Sequence, residues 1–104
     1  PEMTMRLLAS MSKRLQHFAR LIEDLSLREV SARLARYLLE EAHRLGRNRF
    51  RLPIPKGELA LQLGTAAETL SRTFARFRDQ GIVETSGQTV HILRADDLRA
   101  VLDT

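Results

Sequence analysis

The run Glu58-Leu59-Ala60-Leu61-Gln62-Leu63-Gly64-Thr65-Ala66-Ala67-Glu68-Thr69-Leu70-Ser71-Arg72 constrains the fold more tightly than any other part of the chain. Leu59, Ala60 and Leu63 mark one apolar helical face, and Leu70, Phe74 and Phe77 mark the next. Gly64 stands between them as a residue that takes positive φ without strain. Two short helices joined in this way meet at a steep angle, and the second is left partly exposed. At about 100° per residue, Leu70, Phe74 and Phe77 gather on one side of that helix. Glu68, Arg72, Ala75 and Asp79 fall roughly opposite, with Ser71 and Arg76 flanking. One face packs and the other is free, which is the arrangement of a helix-turn-helix and predicts double-stranded DNA as the partner.

Glu68 and Arg72 lie at the N-terminal end of the second helix, the part that meets base edges when such a helix enters the major groove. An Arg there donates two hydrogen bonds to guanine O6 and N7, and a Glu accepts one from cytosine N4. The same two residues are also an (i, i+4) pair in the favourable order, which on a solvated helix stabilises by only about 0.2–0.5 kcal/mol. Sequence-independent contacts to phosphate are expected from Lys56 at the start of the first motif helix, Thr65 in the turn, and Thr69 and Arg76 on the second helix. Thr65 has a second available role, as the cap of that helix.

Upstream, Leu8, Met11, Leu15, Phe18, Ile22 and Leu25 recur at alternating steps of three and four, the pattern of a coiled-coil seam. This stretch reads as a dimerisation helix; an amphipathic helix lying on its own domain is the alternative. Ser26, with Glu29 three residues on, forms a capping-box pattern that predicts a second helix starting there. Leu27, Val30, Leu34, Tyr37, Leu38 and Leu45 trace its apolar face, and Gly46 ends it. Arg49-Phe50-Arg51-Leu52-Pro53-Ile54 alternates as a short strand closed off by prolines. The motif helices span about 56–63 and 66–80, with Gly81 as a stop. Ile82-Val83-Glu84-Thr85 and Thr89-Val90-His91-Ile92-Leu93, joined through Ser86-Gly87-Gln88, read as a β-hairpin. Asp96 to Leu102 adds a final helix.

These residues resemble the C-terminal DNA-binding domain of the Crp/Fnr family of transcription regulators. The resemblance is carried by Leu63-Gly64-Thr65-Ala66-Ala67-Glu68-Thr69-Leu70-Ser71-Arg72, then Gly81-Ile82-Val83 and the hairpin, and it extends over essentially the whole chain. It implies a mainly α fold with a small β-hairpin, a winged helix-turn-helix preceded by a long dimerisation helix. Residues 1–25 would be that helix and 26–104 the DNA-binding domain. It further implies that Glu68, Ser71 and Arg72 contact bases in half-sites containing TGA, that Ser86 and Gln88 at the wing tip approach the phosphate backbone, and that the protein works as a homodimer with access to RNA polymerase. Ala67 stands where some members carry Arg, and Ala66 where others carry a small hydroxyl residue that binds phosphate. Pro55 takes the place of a Ser or Thr cap. Whole family members carry an N-terminal sensor domain, so the chain is expected to be a piece of a longer regulator, with the effector unknown and no cofactor in this part.

Composition narrows the alternatives. Seventeen basic and thirteen acidic residues give +4. The excess is uneven: residues 1–80 hold 15 basic and 9 acidic residues, and 81–104 hold 2 and 4. A positive surface favours approach to phosphates and makes affinity salt-dependent. No cysteine is present, so no disulfide or thiolate metal site is available. The apolar stretches near the N-terminus are interrupted by Arg6, Lys13 and Arg14, so no membrane role is expected and a cytoplasmic location fits. His17, His43 and His91 have no ligand partners at metal spacing. Glu40-Glu41 and Asp96-Asp97 are adjacent pairs that diverge on a helix, so no enzyme is expected. The competing function is a winged-helix module for protein–protein assembly without specific DNA binding.

Overall fold

A computed structural model describes residues 2–103, with side chains placed for residues 14–16 and 27–103. The longest element is α1, Glu2–Leu45, 44 residues without a break. At about 1.5 Å per residue it accounts for the whole 66 Å long axis of the molecule. The helix break expected at Ser26 does not occur. No Gly or Pro interrupts residues 2–45, and an interior Ser costs a helix only about 0.5 kcal/mol relative to Ala, so continuing the hydrogen-bond ladder outweighs starting a new cap. Glu29 is turned along the helix, 3.7 Å from Arg33. Of the seam residues, Leu15 has a described side chain and is 68% exposed. The side chains of Leu8, Met11, Phe18, Ile22 and Leu25 lie outside the described residues.

The C-terminal half of α1 is the scaffold. Val30, Leu34, Ala35, Leu38 and Ala42 are buried on it, with Tyr37 and Leu45 partly so. After Gly46 the chain forms β1 (Arg49–Arg51), α2 (Lys56–Gln62), α3 (Ala67–Asp79), β2 (Val83–Ser86), β3 (Thr89–Ile92) and α4 (Ala95–Leu102). The short strand expected over residues 49–54 forms only across Arg49–Arg51 and joins the expected hairpin in a three-stranded sheet, in the order β1-β3-β2 and antiparallel throughout. Phe50 opposes Val90 and Thr85 opposes Val90 from the other side. Phe50, Val83, Val90 and Ile92 face inward and are buried. Ser86 and Thr89 are paired, so the hairpin turns through Gly87 and Gln88 alone, with Gly87 at φ +58°. Ser86 therefore ends β2 and is not a loop residue.

One core joins all the layers. Leu59 and Ala60 of α2, Leu70, Phe74 and Phe77 of α3, and Leu98 of α4 meet the α1 scaffold and the inner sheet face. At about 25 cal/mol per Å², each fully buried Leu or Phe contributes roughly 1.5–3 kcal/mol relative to exposure. The inward stripe of α3 is thus the principal attachment of that helix.

Candidate nucleic-acid interface

The helix pair begins at Pro55, which holds the N-cap position of α2 at φ −60° and ψ 153° without a side-chain cap. Lys56 opens α2, and its Nζ sits 5.2 Å from the centroid of the Phe74 ring, a cation–π contact tying the first motif helix to the second. The α2 helix closes at Leu63, and Gly64 carries the chain round at φ +72°. The N–H groups of Gly64 and Thr65 bond the carbonyls of Leu61 and Ala60 at 3.1 and 2.9 Å, which satisfies the end of α2 internally. The N-cap of α3 is Ala66, without a side-chain cap bond. Thr65 therefore does not cap α3; its backbone is spent on closing α2.

Along α3, Leu70, Thr73, Phe74 and Phe77 are buried. Thr73 satisfies its hydroxyl by donating to the Thr69 carbonyl at 2.8 Å. Glu68, Ser71 and Arg72 are all exposed on the first two turns, together with Arg76, Arg78 and Asp79 further on. The structure therefore brings the three expected base-contacting residues onto one exposed surface. Arg72 donates through Nη2 to Oε1 of Glu68 at 3.0 Å. The two side chains are 53% and 79% exposed, so this pair contributes only about 0.3–0.5 kcal/mol. A bidentate Arg–guanine contact discriminates by about 1–3 kcal/mol, enough to draw the guanidinium from Glu68 to a base edge.

The expected phosphate contacts are less uniform. Thr65 and Thr69 are half-buried at the rim of the helix pair, and Arg76 is exposed. Arg76 also borders a cleft of about 290 Å³ between α1, α3 and α4, lined further by Arg28, Ser31, Phe77 and Asp97. Ser86 is exposed on the outer face of the sheet, beside Thr89. Gln88 is half-buried and its carbonyl accepts the Leu52 N–H at 2.8 Å, so this tip residue pins β1 to the hairpin. Arg78, which the sequence reading passed over, donates to the Thr85 hydroxyl at 2.8 Å and joins the last turn of α3 to the wing. No periodicity pairs positions in a helix and a following strand, so only the folded chain reveals that link. His91 has a cross-strand neighbour, with Nδ1 3.8 Å from the Glu84 carboxylate.

Among the described residues, displaced titrations lie on α1, away from the exposed face of α3. Partial burial raises the pKa of Tyr37, with the Glu41 carboxylate adding to the rise and Arg44 opposing it. Arg44 is raised by its hydrogen bond to Glu41. No group of three or more His, Cys, Asp or Glu among the described residues is placed to hold a metal ion. No helix among them is long and apolar enough to cross a membrane.

Two helices about a left-handed glycine, the second with a buried stripe and a polar outer face, followed by a hairpin tied to it, define a winged helix-turn-helix. The family profile described as the Crp-like helix-turn-helix domain matches residues 32–101. The chain belongs to that family. It is 32% identical to the "Transcriptional activator protein FnrA" of Stutzerimonas stutzeri over 106 residues, covering 97% of this chain and 43% of the relative. Among solved structures, DNR from Pseudomonas aeruginosa superposes with a TM-score of 0.77 at 36% identity, over 97% of this chain and 45% of that one. The catabolite activator protein of Thermus thermophilus gives 0.70 at 31% identity, over 93% and 45%. The chain thus spans less than half the length of these relatives.

Proposed function

We propose that this chain is the DNA-reading and dimerising part of a sequence-specific transcription regulator. The observation that carries the reading is the exposure of Glu68, Ser71 and Arg72 together on the leading turns of a helix whose opposite stripe is sealed in the core. Membership of the Crp-like family supports it, as does the naming of the Stutzerimonas relative as a transcriptional activator. In this reading α3 enters the major groove. Arg72 takes guanine, and Glu68 both orients Arg72 and accepts from cytosine. Lys56, Thr65, Thr69, Arg76, Ser86 and Gln88 serve the phosphates. Half-sites contain TGA, and the protein acts in the cytoplasm with RNA polymerase as a further partner.

Dimerisation is assigned to residues 1–25 and DNA reading to 26–104. At about 100° per residue, the positions of Leu8, Met11, Leu15, Phe18, Ile22 and Leu25 lie roughly 130° around the α1 axis from those of Val30, Leu34 and Leu38. A helix that gave its seam to its own domain would keep both stripes in one line. The 68% exposure of Leu15 agrees with an outward seam. Two copies paired there would set their reading helices into successive major grooves about 34 Å apart, on a palindrome.

The test is a titration of a palindromic duplex with TGA half-sites and of a scrambled control, at two salt concentrations, with Arg72→Ala alongside. Selective, salt-sensitive binding that the substitution abolishes is expected. Equal weak binding to both duplexes would remove the sequence-reading role. The self-satisfied Glu68–Arg72 pair favours one second reading, a winged-helix module for protein assembly, and absence of duplex binding at physiological salt would select it.

A further inference from the structure

Arg33 and Leu63 are 30 residues apart, yet Nη1 of Arg33 donates to the Leu63 carbonyl at 2.9 Å. Leu63 is the C-cap of α2, where carbonyls have no partner within the helix. The neighbouring acceptors are taken locally: Leu59 by the N–H of Leu63, Ala60 by Thr65 and Leu61 by Gly64. The Leu63 carbonyl is instead served from α1.

Gly64 fits the same device. Besides needing φ +72°, it leaves room for the guanidinium, because a Cβ there would lie 3.2 Å from Nη1 of Arg33. On the far side, the Glu29 carboxylate one turn back along α1 stands 3.7 Å from Nη2. The fork is thus held between a carboxylate on α1 and the turn that launches α3. This is also where α1 and α2 come together, since Arg33, Arg36, Tyr37 and Glu40 face Gln62, Leu63 and Gly64 across a shallow cleft.

We propose that Arg33 is a positioning residue for DNA reading, keeping the α2–α3 turn in register with α1 through the Leu63 carbonyl. The proposal rests on the reading of α3 given above. Arg33 touches no base in it; its effect is on where α3 starts relative to the helix that carries the seam. Loss of the charge-assisted bond to the exposed Leu63 carbonyl removes the tie between α1 and the turn and lets the turn shift while the core stripe of α3 stays buried.

The chain has no cysteine, so nitroxide labels at Glu40→Cys and Glu58→Cys report the α1–α2 distance by electron–electron resonance without interference. Both parent residues are exposed. In Arg33→Met that distance is expected to broaden or shift without DNA present. The ratio of affinities for the TGA duplex and the scrambled duplex falls about three- to tenfold, and the salt slope is unchanged. Arg33→Lys, keeping a donor of shorter reach, recovers part of both effects. A lowered melting temperature with an unchanged label distance and an unchanged ratio would overturn the proposal and leave Arg33 a stability residue. Equal losses on both duplexes, with a salt slope reduced by about one, would overturn it in favour of a phosphate contact. If the unsubstituted chain shows no preference between duplexes, the reading of α3 fails, and the label distance still decides the role of Arg33.

Discussion

The helix α3 and the wing that follows it are neighbours in sequence and in space but are held in opposite ways. The α3 helix is fixed from beneath by Leu70, Phe74 and Phe77, each 1% exposed, and offers a dense row of charge above. The wing is fixed at its edges, through β1 on one side and the Arg78–Thr85 bond on the other, while its turn is Gly87-Gln88 with no charged residue at the tip. The side chains proposed to discriminate bases, Glu68, Ser71 and Arg72, all stand on the rigidly seated element. The wing turn is uncharged, and Glu84 and His91 lie further back on its strands; in the proposed reading its contribution to backbone approach depends on how firmly it is tethered.

The largest effect that would break this contrast is in the seat of α3. Phe74→Ala removes a buried ring and is expected to cost about 3–5 kcal/mol of folding stability, read by chemical denaturation; a cost near zero would mean that α3 is not anchored by its stripe. Next, Arg72→Ala should weaken the specific duplex by about 1–3 kcal/mol with little change on the scrambled one, measured by competition titration. Arg78→Ala tests the tether. It should raise hydrogen exchange in Val83–Ser86 and cost about 0.5–1 kcal/mol of binding on both duplexes alike. The smallest change is expected from Gln88→Ala, under about 0.5 kcal/mol, because the carbonyl that receives Leu52 is retained. A larger loss there would move part of the reading to the wing tip.

The parts of the fold that were legible in the sequence are those governed by local rules. Gly64 between two apolar stripes located the helix pair to within a residue or two, and Leu70, Phe74 and Phe77 were identified as its inward face from spacing alone. Ser26 misled, because a capping box is a competition between two local states, and its pattern does not reveal that an uninterrupted helix wins. The third strand was only half visible: Arg49 to Ile54 alternates, but that Phe50 pairs with Val90 depends on a contact 40 residues away. Arg33 and Arg78 were invisible for the same reason. Each reaches a partner on another element, the first a backbone carbonyl that no sequence pattern marks. Glu68, Ser71 and Arg72 fall on an exposed face, as their spacing predicts, and the (i, i+4) contact between Glu68 and Arg72 that the same spacing allows is the one the structure contains.

The unbroken α1 has a mechanical consequence. Between Val30, the first buried position described on it, and Glu2 there are roughly 42 Å of helix at about 1.5 Å per residue, so a tilt of about 10° at the body carries the far tip sideways by about 7 Å. A helix with a joint at Ser26 would absorb such a motion in the joint. A single stiff rod instead acts as a lever, so that a displacement of several ångström imposed on the tip arrives at the domain as a rotation of a few degrees.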